Sequence, residues 1–490
     1  MKKHISIIGT LLALLLTLCS CEDLPILEEH PKKVAAETFL DTPEAVQAEI
    51  NSIYYQLHRD VCFGRYLSVL PEAMADYCYG RGNYATSFQN GLTTGAQAFV
   101  RDTWAVLYRC IRFANNLLVE IEPEKFKKSE YNSLTGEIRY LRAFCYSCLV
   151  KYWGAVPFYD ETNADDFQKG RTPAQTIWNY ILDEADAATE LLPKTASVAG
   201  RPTRYAAMML KGEAAMYLEQ YDVAAQAFQG IIDSKRYSLV EVSKADDFEK
   251  LYGYTVVTTP EEIFYLKANR ENGMSFFWMF VCKPNPIRDT GALGIYTDYV
   301  NNKFIASWDN NDLRYQYSLW KSTENGTINA LTKTGMICLK FRDYEMSGST
   351  SANDWPVYRY ADALLYAAEA LCKAEGAPSA QSLEYLNMVR RRAYGLKATR
   401  PQPIDYTIDE YDTTEKFMEA VLAERGYEQC FEGKRYCDLK RLDLLAEYAF
   451  RAGRIDSPSI GDAALWWPIP SDEFNYNLAL DPTQDQNPGY

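Results

Sequence analysis

Histidine is nearly missing from this chain. The 490 residues carry three, His4, His30 and His58, and nothing after His58 can supply an imidazole. Ser-His-Asp triads, Cys-His dyads and histidine-bearing zinc sites are thereby almost excluded. A hydrolase working with carboxylates alone passes this test, because Asp and Glu total 66. Positive charge is also short: 51 Lys and Arg leave a formal net charge of −15. An acidic surface repels phosphate backbones, so nucleic acid is not an expected partner. A polyanionic ligand is disfavoured too, unless a local basic pocket overrides the net charge. Cysteine is present, at 12 residues, but carries no framework spacing. Cys145 and Cys148 form one C-x-x-C inside "RYLRAFCYSCLVKYW", which reads as a buried helix, and no second pair stands at metal-ligand spacing. These thiols are expected to act as small apolar side chains. No metal and no cofactor is expected.

The amino terminus has the layout of a secretory signal: Lys2 and Lys3, an apolar run from Ile5 to Leu18, and small Ser20 at the expected cut. The run is shorter than the roughly 20 residues a membrane span needs. Leu18 sits three residues before Cys21, and "LLTLCSCEDLP" resembles a bacterial lipobox. That resemblance implies lipidation of Cys21, with Cys19 leaving alongside the signal; the alternative is an ordinary signal peptide and a free Cys21. Each buried methylene contributes about 0.8 kcal/mol, so several acyl chains hold a protein firmly. Glu22 and Asp23 resemble the surface-export tag of Bacteroidetes lipoproteins, or else form a solvated tether.

A hydrophobic content of 47% marks a folded chain, long enough for one large domain or two or three smaller ones. "TPEAVQAEINSIYYQLHRD" predicts a helix with Thr42 as N-cap and Pro43 in the first position, with Ala45, Ala48, Ile53 and Leu57 at helical spacing. Residues 59–100 lose the helical period and read as loop. "RDTWAVLYRCIRFANNLLVEI" restores it, and further helices are expected over 131–153 and 173–192. In 203–233, Gly212, Ala224 and Phe228 fall where a tetratricopeptide unit places small, small and aromatic residues. A second helix pair is expected over 357–394. Between them, 255–356 breaks the rhythm, with "EEIFYLKA" as a strand and an aromatic, proline-bearing remainder. Another helix pattern follows 414, broken near Gly433, before an irregular tail.

Six stretches in order, "GEIRYLRAFCYSCLVKYWGAVPF", "GRPTRYAAMMLKGEAAMYL", "YRYADALLYAAEAL", "LNMVRRRAYGL", "ERGYEQCFEGKRYCDLKRL" and the closing "WPIP" and "QNPGY", resemble the SusD/RagB family of outer-membrane nutrient-binding lipoproteins. The likeness covers nearly the whole mature chain. It implies a mainly α fold: a degenerate tetratricopeptide helical-repeat scaffold with an irregular, loop-rich face and a few short strands. The organisation it implies is a signal over 1–20, a tether over 21–36 and a single domain over 37–490. Within that domain, helical repeats span approximately 43–58, 101–233 and 357–394; the ligand face spans 59–100 and 255–356; the C-terminal helix and tail span 414–490. The family's role is non-catalytic. A lipid-anchored, surface-exposed subunit captures a glycan, or a peptide, and hands it to a SusC-like TonB-dependent transporter in the outer membrane. The variable loops are short here, so the family's ligand residues do not transfer.

Candidate residues therefore come from chemistry. Glu424, Arg425, Glu428, Glu432, Arg435, Asp438 and Arg441 stand three and four apart, which predicts pairing of acids with arginines on a helix face rather than catalysis. Arg359 and Asp362 are expected to tie a helix start to its neighbours. "DNNDLR" at 309–314 lacks the glycine and distal glutamate of a calcium loop and reads as structural. Among 37 tyrosines and nine tryptophans, those in glycine-bearing loops are hard to bury and can stack on the C–H face of a sugar, with Arg, Asn and Asp bonding its hydroxyl rim. The expected ligand set is Tyr79, Arg81, Asn83, Tyr84 and Phe88 from the first loop, with Trp278, Tyr296 and Trp320 from the second. Peptide binding on the same architecture, a two-carboxylate glycosidase and a ligand-free structural lipoprotein are the rival readings.

Overall fold

Thr42 accepts the Ala45 N–H at 3.2 Å, Pro43 takes the first helical position, and helix α1 runs Pro43–His58. Its buried stripe is Val46, Ile50, Ile53 and Leu57; Ala48 is exposed and Ala45 lies at the margin, so the inner face is rotated from the one expected. The computed structural model describes residues 40–163, 166–272, 294–321, 334–346 and 351–490. Cys21 and Trp278 lie outside the described residues.

Helix α2, Tyr66–Ala73, falls where the sequence reads as loop. All eight of its residues are buried, so it has no polar face to generate a period, and Pro71 lies inside it. Helix α3, Thr94–Glu120, is capped by the Thr93 hydroxyl and starts ahead of the expected Arg101. Next come α4 (Lys128–Trp153), which stops at Gly154 with φ 73°, and α5 (Ala174–Leu191). Helices α6 (Arg204–Tyr217) and α7 (Tyr221–Asp233) follow, then α8 (Tyr360–Glu375), α9 (Ala380–Ala393), α10 (Thr414–Glu428) and α11 (Arg435–Arg441). From α3 to α7 each helix packs on the next, α1 covers α3, and α7 packs on α8 although more than a hundred residues separate them. The result is a serial stack of helix pairs, mainly α in class, in which neighbours cover one another's apolar faces.

The α6–α7 contact shows what the small residue does. A Cβ on Gly212 would meet the Phe228 ring at 2.5 Å. That ring stacks on Tyr366 of α8 at 5.1 Å with a 7° tilt, so one aromatic side chain wedges three helices together.

The chain between α7 and α8 forms the less regular part. Strands β1 (Tyr79–Gly80), β2 (Glu262–Leu266), β3 (Ile295–Asp298), β4 (Leu319–Lys321), β5 (Gly335–Cys338) and β6 (Trp355–Arg359) divide into two sheets. One is four-stranded and antiparallel, ordered β1-β3-β5-β4; the other pairs β6 with β2. The β2 strand is the one expected from "EEIFYLKA". At the end of the chain, Trp467 stacks on Tyr152 of α4 at 4.4 Å, and the Trp153 indole N–H donates to the Pro468 carbonyl at 2.9 Å. Asn487 donates to the Trp153 and Trp467 carbonyls, which ties down the irregular tail through side chain-to-backbone bonds.

The charged motif forms interior ion pairs. Helix α10 ends at Glu428; Phe431 (φ 63°) and Gly433 (φ 73°) turn the chain, and α11 begins at Arg435. Glu428 accepts from Arg359 at 2.8 Å, Arg392 at 2.5 Å and Arg314 at 3.1 Å. Glu432 accepts from Arg359 and Lys340; Arg425 pairs with Asp438; Arg441 bridges Asp438 and Glu369. The expected set thus supplies both members of the Arg425–Asp438 and Arg441–Asp438 pairs and one member of the others, and β6, α9 and the short helix Leu313–Ser318 supply much of the rest. Asp362 caps the Arg359 N–H and binds Lys434, while Asp312 caps that short helix and pairs with Arg314.

Candidate functional site

The first loop and the four-stranded sheet meet at one surface. Gly80 closes β1, and a Cβ there would lie 1.8 Å from the Tyr84 carbonyl oxygen, so only glycine lets the loop fold back over itself. Gly82–Tyr84 forms a single 3-10 turn, with Gly82 at φ 55°. The Arg81 N–H donates to the Gly294 carbonyl at 2.8 Å, extending the β1–β3 pairing by one rung. In that register Tyr79 stands opposite Tyr296, and their rings stack at 5.3 Å with a 22° tilt. Both rings are half-buried. Segments more than two hundred positions apart in sequence therefore place two flat rings side by side.

Arg454 joins this surface from the chain after α11. Its guanidinium lies 4.2 Å over the Tyr79 ring and 5.0 Å from Phe88, and it donates to the Ala75 carbonyl at 3.1 Å. Burial lowers its pKa against the opposing pull of Tyr79. Neither Arg454 nor Arg81 forms an ion pair among the described residues, although nearly every buried arginine of this protein does. Arg81 is half-buried and Asn83 is exposed beside it.

Three expected residues stand elsewhere. Tyr84 and Phe88 are each 7% exposed: Tyr84 packs 5.4 Å from Phe99 of α3, and Phe88 lies under Arg454. Trp320 is 8% exposed, in β4 opposite Ile337, at the far edge of the sheet from Tyr79. The expectation that these loop rings stand free is corrected, because the loops fold onto α3 and onto their own sheet. Arg454 was missed for a plain reason: nothing in its local sequence marks it, and it reaches the site only through the tertiary fold. Burial lowers the pKa of the last histidine, His58, and its Nδ1 lies 2.7 Å from the Tyr54 carbonyl oxygen. Among the described residues no cluster of His, Cys, Asp or Glu is placed to hold a metal ion, and the nine described cysteines are free and buried.

Two family models match the chain. The one described as "SusD family" matches residues 293–490, and the one described as "Starch-binding associating with outer membrane" matches residues 26–212. Both models are of SusD-type proteins, and between them they match most of the chain. SusD-like proteins P2 and P38 of Formosa agariphila are each 26% identical to it; the matches cover 98% of this chain and 99% of P2, and 91% of this chain and 92% of P38. Among solved structures, a SusD homolog from Bacteroides thetaiotaomicron superposes with a TM-score of 0.74 at 20% identity, covering 94% of this chain and 99% of that one. Surface glycan-binding protein A from the same organism, in complex with laminarihexaose, has a TM-score of 0.70 at 22% identity, covering 91% and 99%. These likenesses establish the SusD-like fold. The carboxylates Glu424, Glu428, Glu432 and Asp438 are at most 3% exposed and held by arginines. Among the described residues no helix is long and apolar enough to cross a membrane.

Proposed function

We propose that this SusD-like protein is a non-catalytic, surface-exposed binding subunit that captures an oligosaccharide or polysaccharide and delivers it to a SusC-like TonB-dependent transporter. Acylated Cys21 anchors it to the outer membrane in this reading. The observation that carries the binding role is the Tyr79–Tyr296 ring pair with unpaired Arg81 and Arg454 beside it. A flat ring meets the C–H face of a pyranose, while guanidinium and the Asn83 amide bond hydroxyl or carboxylate oxygens. Phe88 lies beneath Arg454 at this ledge, whereas Tyr84 packs on Phe99 of α3. Two relatives of the same fold are described as glycan-binding proteins, one of them with laminarihexaose bound, and one matching family is described as starch-binding and outer-membrane associated.

Affinity electrophoresis and calorimetry of the mature protein against neutral and acidic polysaccharides, laminarin and starch among them, and against oligopeptides test this reading. Wild-type protein is expected to bind at least one glycan. The Tyr79→Ala/Tyr296→Ala variant is expected to lose about tenfold or more, which corresponds to roughly 1.4 kcal/mol, at unchanged melting temperature. Binding of peptides and of no glycan overturns the glycan reading in favour of peptide uptake; slow turnover of a polysaccharide overturns the non-catalytic one.

A further inference from the structure

A second concavity lies away from the tyrosine ledge, where helix α3 meets the segments 159–169 and 470–477. Its floor is Trp104 and Tyr108, and its volume of about 510 Å³ falls in the range of small-molecule sites. Two rings on its walls stand out: Phe167 is 59% and Tyr476 is 79% exposed, and neither stacks on another ring among the described residues. Lone exposed aromatics are ordinary on protein surfaces, but two in one concavity with an indole at its base are not the same case.

The walls are fastened to each other. The Gln168 side chain donates to the Tyr476 carbonyl at 3.1 Å and accepts the Leu478 N–H at 2.6 Å, and the Asn477 side chain donates to the Lys169 carbonyl at 2.8 Å. The Trp104 indole N–H donates to Glu473 at 3.1 Å, which fixes one acceptor at the base. Binding here therefore loses little to ordering of the walls. The charges balance: Arg101, Arg109 and Arg112 share the lining with Asp102, Asp472 and Glu473. Arg112 and Asp472 are both exposed and form no ion pair among the described residues, so a free donor and a free acceptor stand on the rim. Flat walls, a balanced rim and no metal cluster suit a neutral, polyhydroxylated ring better than an anion, a cation or a purely apolar segment.

We infer that this groove is a second carbohydrate-contact site, taking a neutral oligosaccharide with pyranose faces against Phe167 and Tyr476 and hydroxyls on Arg112, Asp472 and Glu473. It rests on the glycan reading above and adds a site on the helical side of the molecule. The test compares Phe167→Ala/Tyr476→Ala, Tyr79→Ala/Tyr296→Ala and the combined variant, each as mature protein, against the polysaccharide that wild type binds. The groove variant is expected to lose about fivefold or more in affinity at an unchanged melting temperature, because its rings lie largely in water. The combined variant is expected to lose more than either. Unchanged affinity in the groove variant, with loss in the ledge variant, overturns the groove and leaves the function standing. Absence of any glycan binding by wild type overturns both. Retained glycan affinity with lost copurification of a membrane partner assigns this face to a protein contact and overturns the saccharide assignment.

Discussion

Gly212 is bare because the Phe228 ring occupies the space a side chain would fill. Replacing it with alanine sets two effects against each other. Helix propensity favours alanine by about 1 kcal/mol, whereas forcing a methyl into a filled core costs roughly 1–3 kcal/mol. The ring has nowhere to go, since Tyr366 backs it at 5.1 Å. Gly212→Ala is therefore expected to be destabilising by about 1–2 kcal/mol, read as a lower urea midpoint at unchanged slope; a more stable variant would show that the wedge is loose. This contact was legible in sequence because both partners sit within one helix pair, where spacing alone brings them together. Arg454 was not legible, because its neighbours Tyr79 and Phe88 come from the other end of the chain and no periodicity links them. Loop aromatics misled for a related reason. Tyr84 looks exposed from its glycine-bearing flanks, yet the same glycines let the loop fold flat onto α3.

At the scale of elements, the junction of α10 and α11 buries ion pairs alongside apolar side chains such as Val421, Phe431 and Leu439. The four-residue spacing put Glu424, Glu428 and Glu432 on one helix face; α10 ends at Glu428, Glu432 lies in the turn beyond it, and most of their partners, Arg314, Arg359, Arg392 and Lys340, lie on other elements and left no sequence signal. Helix α2 was illegible for the opposite reason: complete burial erased its period. Glu428 is the node where three guanidiniums converge, and they hold its carboxyl well below the usual range. Glu428→Gln leaves buried cations short of one anion, and breaking a buried pair in this way typically costs 3–5 kcal/mol. The expected result is a chain that unfolds at markedly lower urea or remains partly unfolded at growth temperature. Arg451→Ala, which removes a surface pair with Glu419 and Glu447, is the matched control and is expected to change stability by about 0–1 kcal/mol. Equal effects from the two substitutions would refute the claim that the junction depends on its interior charges.

Taken whole, the molecule is acidic outside and charge-paired inside, and the two features act together on its pH dependence. Arg359, Lys340 and Lys434 depress the Glu432 carboxyl to about 2, and Arg425 and Arg441 lower Asp438. Below the ordinary carboxylate values the unfolded chain takes up protons that these folded groups refuse, so stability is lost as the pH falls towards their native values. Glu72 works the other way. Burial raises it from 4.5 to about 7, against the Tyr77 hydroxyl and the Gly433 N–H that bond its oxygens. Between pH 4.5 and about 7 the folded protein keeps a proton on Glu72 that the unfolded chain releases, so stability falls as the pH rises through that window. The net charge of −15 pulls in the same direction, since self-repulsion grows above the isoelectric point near 4.9. Stability is therefore expected to peak in mildly acidic solution and decline on both sides. Glu72→Gln removes the titration and keeps the shape. It is expected to flatten the neutral limb by an amount on the order of 3 kcal/mol between pH 4.5 and 7, while leaving the acid limb in place. Urea midpoints from pH 3 to 8 for both proteins decide the matter: parallel curves would mean that Glu72 does not titrate in this window, and that surface repulsion and the other carboxyls raised by burial, Glu262, Asp354 and Glu424 among them, shape the neutral limb.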